Sequence, residues 1–248
     1  PVEEIGRYSV TPSTTPRIAA FHQVMTSPTP WSTVAAAAPA TPGGRYAVSF
    51  DPSPDFGDIA CSMESLALAI EVRDAYTRGH CDRTGRIARA LGQCFDLEPA
   101  QLEQLELAAH FHDVGKIGVP DRVLLRPGTV RDGDWPAIRA HSELGERIFL
   151  ASGHAHASEV ATLIRHHHEA MDGSGYPDGL AGDAIPLGAR LLRVADSYDA
   201  MTTRRTYAEA RSHETAMRIL HAEQHQKIDP EVFRVFEQLM RNADLREA

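Results

Sequence analysis

His112 and Asp113 are neighbours in the run Ala109-His110-Phe111-His112-Asp113-Val114-Gly115-Lys116, and His167 and His168 are neighbours just ahead of Asp172-Gly173-Ser174-Gly175-Tyr176-Pro177. The first pair sets an imidazole beside a hard carboxylate. The second sets two imidazoles side by side before a glycine-rich loop. Several histidines with aspartates suit a first-row ion of intermediate softness, such as iron, manganese or zinc. The chemistry such a set supports points to a hydrolase.

Helical periodicity says which way these groups face. Leu102, Leu105, Ala109 and His112 fall at i, i+3, i+7 and i+10, so His112 continues an apolar stripe. Ile138, His141, Gly145 and Ile148 share that spacing, while Val160, Leu163, Ile164 and His167 fall at i, i+3, i+4 and i+7. Leu192, Ala195, Asp196 and Asp199 do the same. A polar group on a core-facing stripe must be paired or coordinated, because unsatisfied burial costs a few kcal/mol. A single such histidine reads as an ordinary hydrogen-bonded core residue. Inward His and Asp on separate helices favour a shared ion.

The stripes belong to an all-α domain of seven to nine helices. Ile59, Met63, Leu66 and Ile70 predict one, and Ile87, Leu91 and Cys94 another. Pro99 with Glu98 beside it opens the helix that ends near His112. Further helices are predicted over 134–151, 156–169, 187–201, 213–223 and 230–242, with almost no strand signal. Residues 1–57 differ: Pro, Thr, Ser and Ala dominate, which predicts a linker or disordered segment with at most a short helix over 17–25. The globular domain is therefore expected over 58–248.

Composition narrows the class. No apolar run approaches a membrane span and no secretory leader is visible, so a cytoplasmic location without membrane contact is expected. Cys61, Cys81 and Cys94 have no CxxC spacing and fit a reducing compartment. The net charge of -9 argues against a nucleic-acid duplex as partner. It leaves room for a small phosphate-bearing substrate, since bound dications dominate their local field.

Taken in order, Tyr76-Thr77-Arg78-Gly79-His80, His112-Asp113-Val114-Gly115-Lys116-Ile117-Gly118, His141-Ser142-Glu143-Leu144-Gly145, His167-His168-Glu169 with the Gly175-Tyr176-Pro177 loop, and Val194-Ala195-Asp196-Ser197-Tyr198-Asp199 resemble the HD-GYP phosphodiesterases, a branch of the HD metal-dependent phosphohydrolases. The resemblance runs from about residue 60 to 240 and implies an HD-type helical bundle. It implies metal ligands at His80, His112, Asp113, His141, His167, His168 and Asp196, with Asp113 bridging two divalent ions. Iron or manganese fit first, and zinc, cobalt or nickel also fit. The ions would ionise a water for in-line attack on phosphorus. Asp113 and Lys116 are thereby the catalytic residues, and Lys116, Tyr176 and Arg205 the substrate contacts, Lys116 facing the scissile phosphate and Arg205 offering a bidentate fork.

The implied reaction is hydrolysis of cyclic di-GMP to pGpG and/or GMP, with signalling proteins as further partners through the GYP loop. Two positions depart from the fullest family pattern. Tyr76 stands where some members carry a third-metal glutamate, so two metals are expected. Ala208 stands where a basic residue is common, which removes a phosphate contact. Two alternatives remain at this point: a non-catalytic cyclic-di-GMP receptor or interaction module, and an HD phosphohydrolase acting on another cyclic dinucleotide or nucleotide. Glu169 and Asp172 are read either as acceptors orienting ligating imidazoles or as helix caps. His154, His156 and His166 are read as solvated or capping, Cys81 as no ligand, and Tyr198 and Tyr207 as packing residues.

Overall fold

The computed structural model describes residues 56–74, 79–203 and 209–241, and the side chains of all of these but 56–62. Its regular elements are α1 (Phe56–Arg73), α2 (His80–Cys94), α3 (Pro99–Phe111), α4 (Asp121–Leu124), α5 (Trp135–Leu150), α6 (Ala157–His166), α7 (Leu187–Thr202), α8 (His213–Ala222) and α9 (Pro230–Leu239). Short 3-10 turns cover Val114–Gly118, Asp132–Asp134 and Gly182–Ala184. Among the described residues there are no strands, only two isolated bridges. The fold is all-α, and none of these helices is long and apolar enough to cross a membrane. The expectations for residues 1–55, for the helix over 17–25, and for Tyr76, Arg205, Tyr207 and Ala208 lie outside the described residues.

Local chemistry explains the boundaries. Pro99 occupies the first turn of α3, and Glu98 and Gln101 exchange a reciprocal pair of side-chain-to-backbone hydrogen bonds there, satisfying amides with no intrahelical partner. Asp229 accepts from the amides of Glu231 and Val232 ahead of Pro230, which starts α9. Gly79 carries φ +70, a left-handed turn that lets α2 begin abruptly on His80.

The core forms where α2 lies between α3 and α7, with α5 against α6 and α3 against α6. Leu91, Leu105, Ala108, Ala109, Ile164, Leu191, Leu192, Val194 and Phe236 are completely enclosed. Met63 and Ile70 turn one side of α1 inward.

One close approach shapes the centre. A Cβ on Gly115 would overlap both the His141 carbonyl and the Gly145 amide nitrogen of α5. The 114–118 turn can therefore lie directly on the α5 backbone, carrying Asp113 and Lys116 beside His141. Gly115→Ala is expected to destabilise the fold by about 2–3 kcal/mol, lowering the melting temperature by roughly 5–10 °C. Gly133→Ala, where the added carbon meets nothing within 4 Å, is the control. Equal melting curves for the two variants would disprove the contact.

Candidate metal centre

Five segments bring ionisable side chains to one buried point: the first residue of α2, the end of α3, the middle of α5, the end of α6 and the middle of α7. His80, His112, His141 and His167 are 0–2% exposed and Asp113 is 5% exposed. They form two groups. His80, His112 and Asp196 offer donor atoms all within 4.8 Å of one another, and so do His141, His167 and His168.

Asp113 lies between the groups. Its Oδ2 is 3.4 Å from His112 Nε2 and its Oδ1 is 3.6 Å from His141 Nε2. The two oxygens of one carboxylate thus face one group each. All seven residues expected as ligands from the sequence come together here.

The imidazoles are oriented by their other nitrogen. His112 Nδ1 donates to the Ala109 carbonyl at 2.7 Å, His141 Nδ1 to Ile138 at 2.7 Å and His167 Nδ1 to Ile164 at 2.6 Å. Each acceptor is the carbonyl three residues earlier, so the helix itself fixes the tautomer. His80 Nδ1 turns instead to Asp199 Oδ2 at 2.7 Å. Asp199 is in turn gripped by Arg83, with Nε at 2.6 Å and Nη2 at 3.1 Å from its two oxygens. Outer contacts of this kind hold metal-binding imidazoles in place.

What remains are Nε2 atoms facing one another, His80 to His112 at 3.3 Å and His141 to His167 at 3.4 Å. Two unprotonated nitrogens at that distance repel unless an electrophile lies between them. The donor set therefore fits divalent ions. Burial depresses His141, pushes His167 down to about 3 and carries His168 well below the usual range; neighbouring imidazoles add to the effect, and all three are neutral near pH 7. For His80, burial works against the charged form, but hydrogen bonds to Asp196 and Asp199 outweigh it and raise the ring to about 9. A proton there does in the ion-free protein what a cation does in the loaded one. Asp113 and Asp196 both stay ionised: burial opposes this, but Lys116 and His112 offset it at Asp113, and His80 and His112 at Asp196.

Lys116 Nζ lies 2.7 Å from Asp113 Oδ2 and 3.6 Å from Asp74 Oδ2. These carboxylates overcome desolvation and keep the ammonium charged. Its backbone is held as firmly. Arg73, the last residue of α1, donates to the Lys116 and Ile117 carbonyls at 3.0 Å each, to the Val119 carbonyl, and to Asp121 Oδ1. No motif or spacing marks Arg73 or Asp74 for this role.

The glycine-rich loop closes one side. Glu169, 1% exposed, accepts from the amides of Asp178, Gly179 and Leu180, and Asp172 accepts from Ser174. Both residues thus bind loop amides, not an imidazole or a helix end as read from the sequence, and they organise the loop. Asp178 is clamped by Arg165 Nε and Nη2 at 2.7 and 2.8 Å and by His166 at 2.9 Å. His166 is thus a loop anchor, which corrects its reading as solvated or capping: the carboxylate it meets lies 12 residues downstream. His156, by contrast, does sit at the N-cap of α6. The loop brings the Tyr176 ring 4.8 Å from His168 and 6.4 Å from His141, centroid to centroid. Cys81, 7% exposed, has its thiol pushed up by burial, and it is in neither donor group. Tyr198 packs on Phe236 and bonds His213 at 3.0 Å.

The sequence pattern of the HD domain matches residues 64–232. The cyclic di-GMP phosphodiesterase response regulator RpfG of Xanthomonas campestris is 37% identical over 169 residues, 68% of this chain and 45% of that protein. The 3'3'-cGAMP-specific phosphodiesterase 3 of Vibrio cholerae is 33% identical over 178 residues, 71% of this chain and 38% of that protein. The chain thus spans less than half the length of these curated relatives. Among solved structures, Bd1817, an HDG"Y"P protein from Bdellovibrio bacteriovorus, superposes with a TM-score of 0.57 at 17% identity, covering 76% of this chain and 65% of that one, a likeness of fold.

Because His80 holds a proton up to about pH 9 in the ion-free protein, an ion entering its group must displace that proton. Manganese affinity of this group is expected to rise about tenfold per pH unit between pH 6.5 and 8, with uptake of the ion releasing one proton. Calorimetry in buffers of different ionisation enthalpy reads both. An affinity flat across that range contradicts the assignment of the proton to His80.

Proposed function

The chain belongs to the HD domain family, and from that premise we propose that it is a metal-dependent phosphodiesterase that hydrolyses cyclic di-GMP to pGpG and/or GMP. The single observation that carries this reading is Asp113, with one oxygen turned to each histidine group and Lys116 Nζ beside it. The Gly175-Tyr176-Pro177 loop beside His168 and the relatives named for cyclic dinucleotides support the substrate class.

In this reading His80, His112, Asp113 and Asp196 would hold one ion and Asp113, His141, His167 and His168 the other. Iron or manganese suits this mixed set best, and zinc, cobalt and nickel also fit. When bound, the pair supplies positive charge that ionises a water molecule and neutralises a phosphodiester.

The remaining work falls to the chain. Lys116 is charged and held on Asp113 and Asp74, so it meets a non-bridging phosphate oxygen without reorganising as charge builds there. Arg73 keeps the turn that bears it in register. Asp199, steadied by Arg83, keeps His80 facing inward. Tyr176 covers the side of the centre beside His168 and keeps its phenol proton because burial opposes ionisation. Arg205 remains the proposed further phosphate contact, and the GYP loop a proposed surface for signalling partners. Residues 58–248 form the proposed catalytic domain, working in the cytoplasm.

The 33% identity to a 3'3'-cGAMP-specific enzyme favours one second reading, that the substrate is a mixed or different cyclic dinucleotide. Turnover of cyclic di-GMP, 3'3'-cGAMP and cyclic di-AMP by the manganese-loaded protein separates the readings.

His112→Ala and Asp113→Ala are each expected to cut hydrolysis at least about 10³-fold and to lower bound metal, while the helical circular-dichroism signal survives. Wild-type rates in either variant refute the centre. Lys116→Met is expected to cost about 10²–10³ in kcat, and Arg73→Gln roughly tenfold, both with metal content retained. Metal lost in step with rate in these two variants places them in ion binding instead.

A further inference from the structure

A row of flat side chains leads outward from the candidate metal centre. It begins at His168, whose ring lies 4.8 Å from that of Tyr176 with the planes 35° apart. The Arg139 guanidinium lies over the Tyr176 ring at 5.3 Å, and over the Trp135 ring at 5.7 Å. Trp135 and Arg139 stand four residues apart on α5 and so share a face of it, and Arg139 is two residues from His141. The outer end is open, since Trp135 is 40% exposed.

Packing alone does not account for this arrangement. A large aromatic ring left in water beside a guanidinium gains little from burial. Among the described residues Arg139 makes no ion pair, whereas Arg73, Arg83, Arg89 and Arg165 each grip a carboxylate. Among the described residues no carboxylate takes up its N–H donors, which leaves them for a ligand.

We infer that Trp135, Arg139 and Tyr176 form a subsite for one nucleobase of the substrate, with Arg139 selecting guanine. The inference rests on the phosphodiesterase reading and adds to it the part of the molecule that the metal centre cannot recognise. A nucleobase stacks on aromatic rings whatever its identity. The arginine fork discriminates. It matches the O6 and N7 acceptors on the outer edge of guanine, whereas adenine presents an amino donor where guanine presents O6. Methionine, which keeps the length of the stem but carries no donor, removes the match.

The test compares wild type, Arg139→Met and Trp135→Ala on cyclic di-GMP, 3'3'-cGAMP and cyclic di-AMP, with metal content measured on each preparation. Arg139→Met is expected to raise KM for cyclic di-GMP about ten- to a hundredfold while kcat stays within about twofold, collapsing the preference for guanine over adenine. Trp135→Ala is expected to raise KM for all three nucleotides. Equilibrium binding of cyclic di-GMP and cyclic di-AMP to the calcium-loaded proteins provides a second readout that needs no turnover. If wild type binds cyclic di-GMP in preference to cyclic di-AMP, loses that preference in Arg139→Met, yet hydrolyses neither, the subsite stands and the hydrolase reading falls. If hydrolysis is intact and Arg139→Met keeps the wild-type KM and guanine preference, the subsite falls and the hydrolase reading stands. Wild-type protein with no preference for guanine in either readout also overturns the subsite.

Discussion

Imidazole rings sunk in an apolar core need a use for both nitrogens, and this constraint organises the molecule. One nitrogen of each of His112, His141 and His167 is consumed by a carbonyl three residues back on its own helix. That bond is set by helical geometry, so wherever the helix goes the ring goes with it. The other nitrogen faces another imidazole, and only a cation or a proton makes that meeting favourable. Burial of such groups unpaired costs several kcal/mol, so the centre and the core are interdependent.

Much of this was legible in the sequence, because helical period and inward direction are the same information. His112 and His167 continue apolar stripes, and both are enclosed. Pro99 beside Glu98 marked a helix start that the structure completes with Gln101. The all-α architecture followed from the absence of alternating strands.

What stayed hidden depends on contacts between distant segments. Asp199 shares a stripe with Asp196, yet its bond to His80 spans 119 residues and leaves no local trace. His166 adjoins His167, but a helix turns about 100° per residue, so neighbours in sequence serve different surfaces. Arg73 grips backbone carbonyls, which any residue types could supply, so no pattern announces it. The four-residue spacing of Trp135 and Arg139 was visible, but their proximity to Tyr176 arises only when the loop folds back onto α5.

The grip of Arg73 on the 116–119 turn has a mechanical consequence. The guanidinium at the end of α1 holds the platform of the ammonium, whereas His141, His167, His168 and Asp196 sit on α5, at the end of α6 and on α7. A small axial slide or twist of α1 would therefore reach the lysine before it reached most of the histidines. Such a linkage would pass a push delivered along α1 to Lys116 and to Asp113 at the head of the same turn.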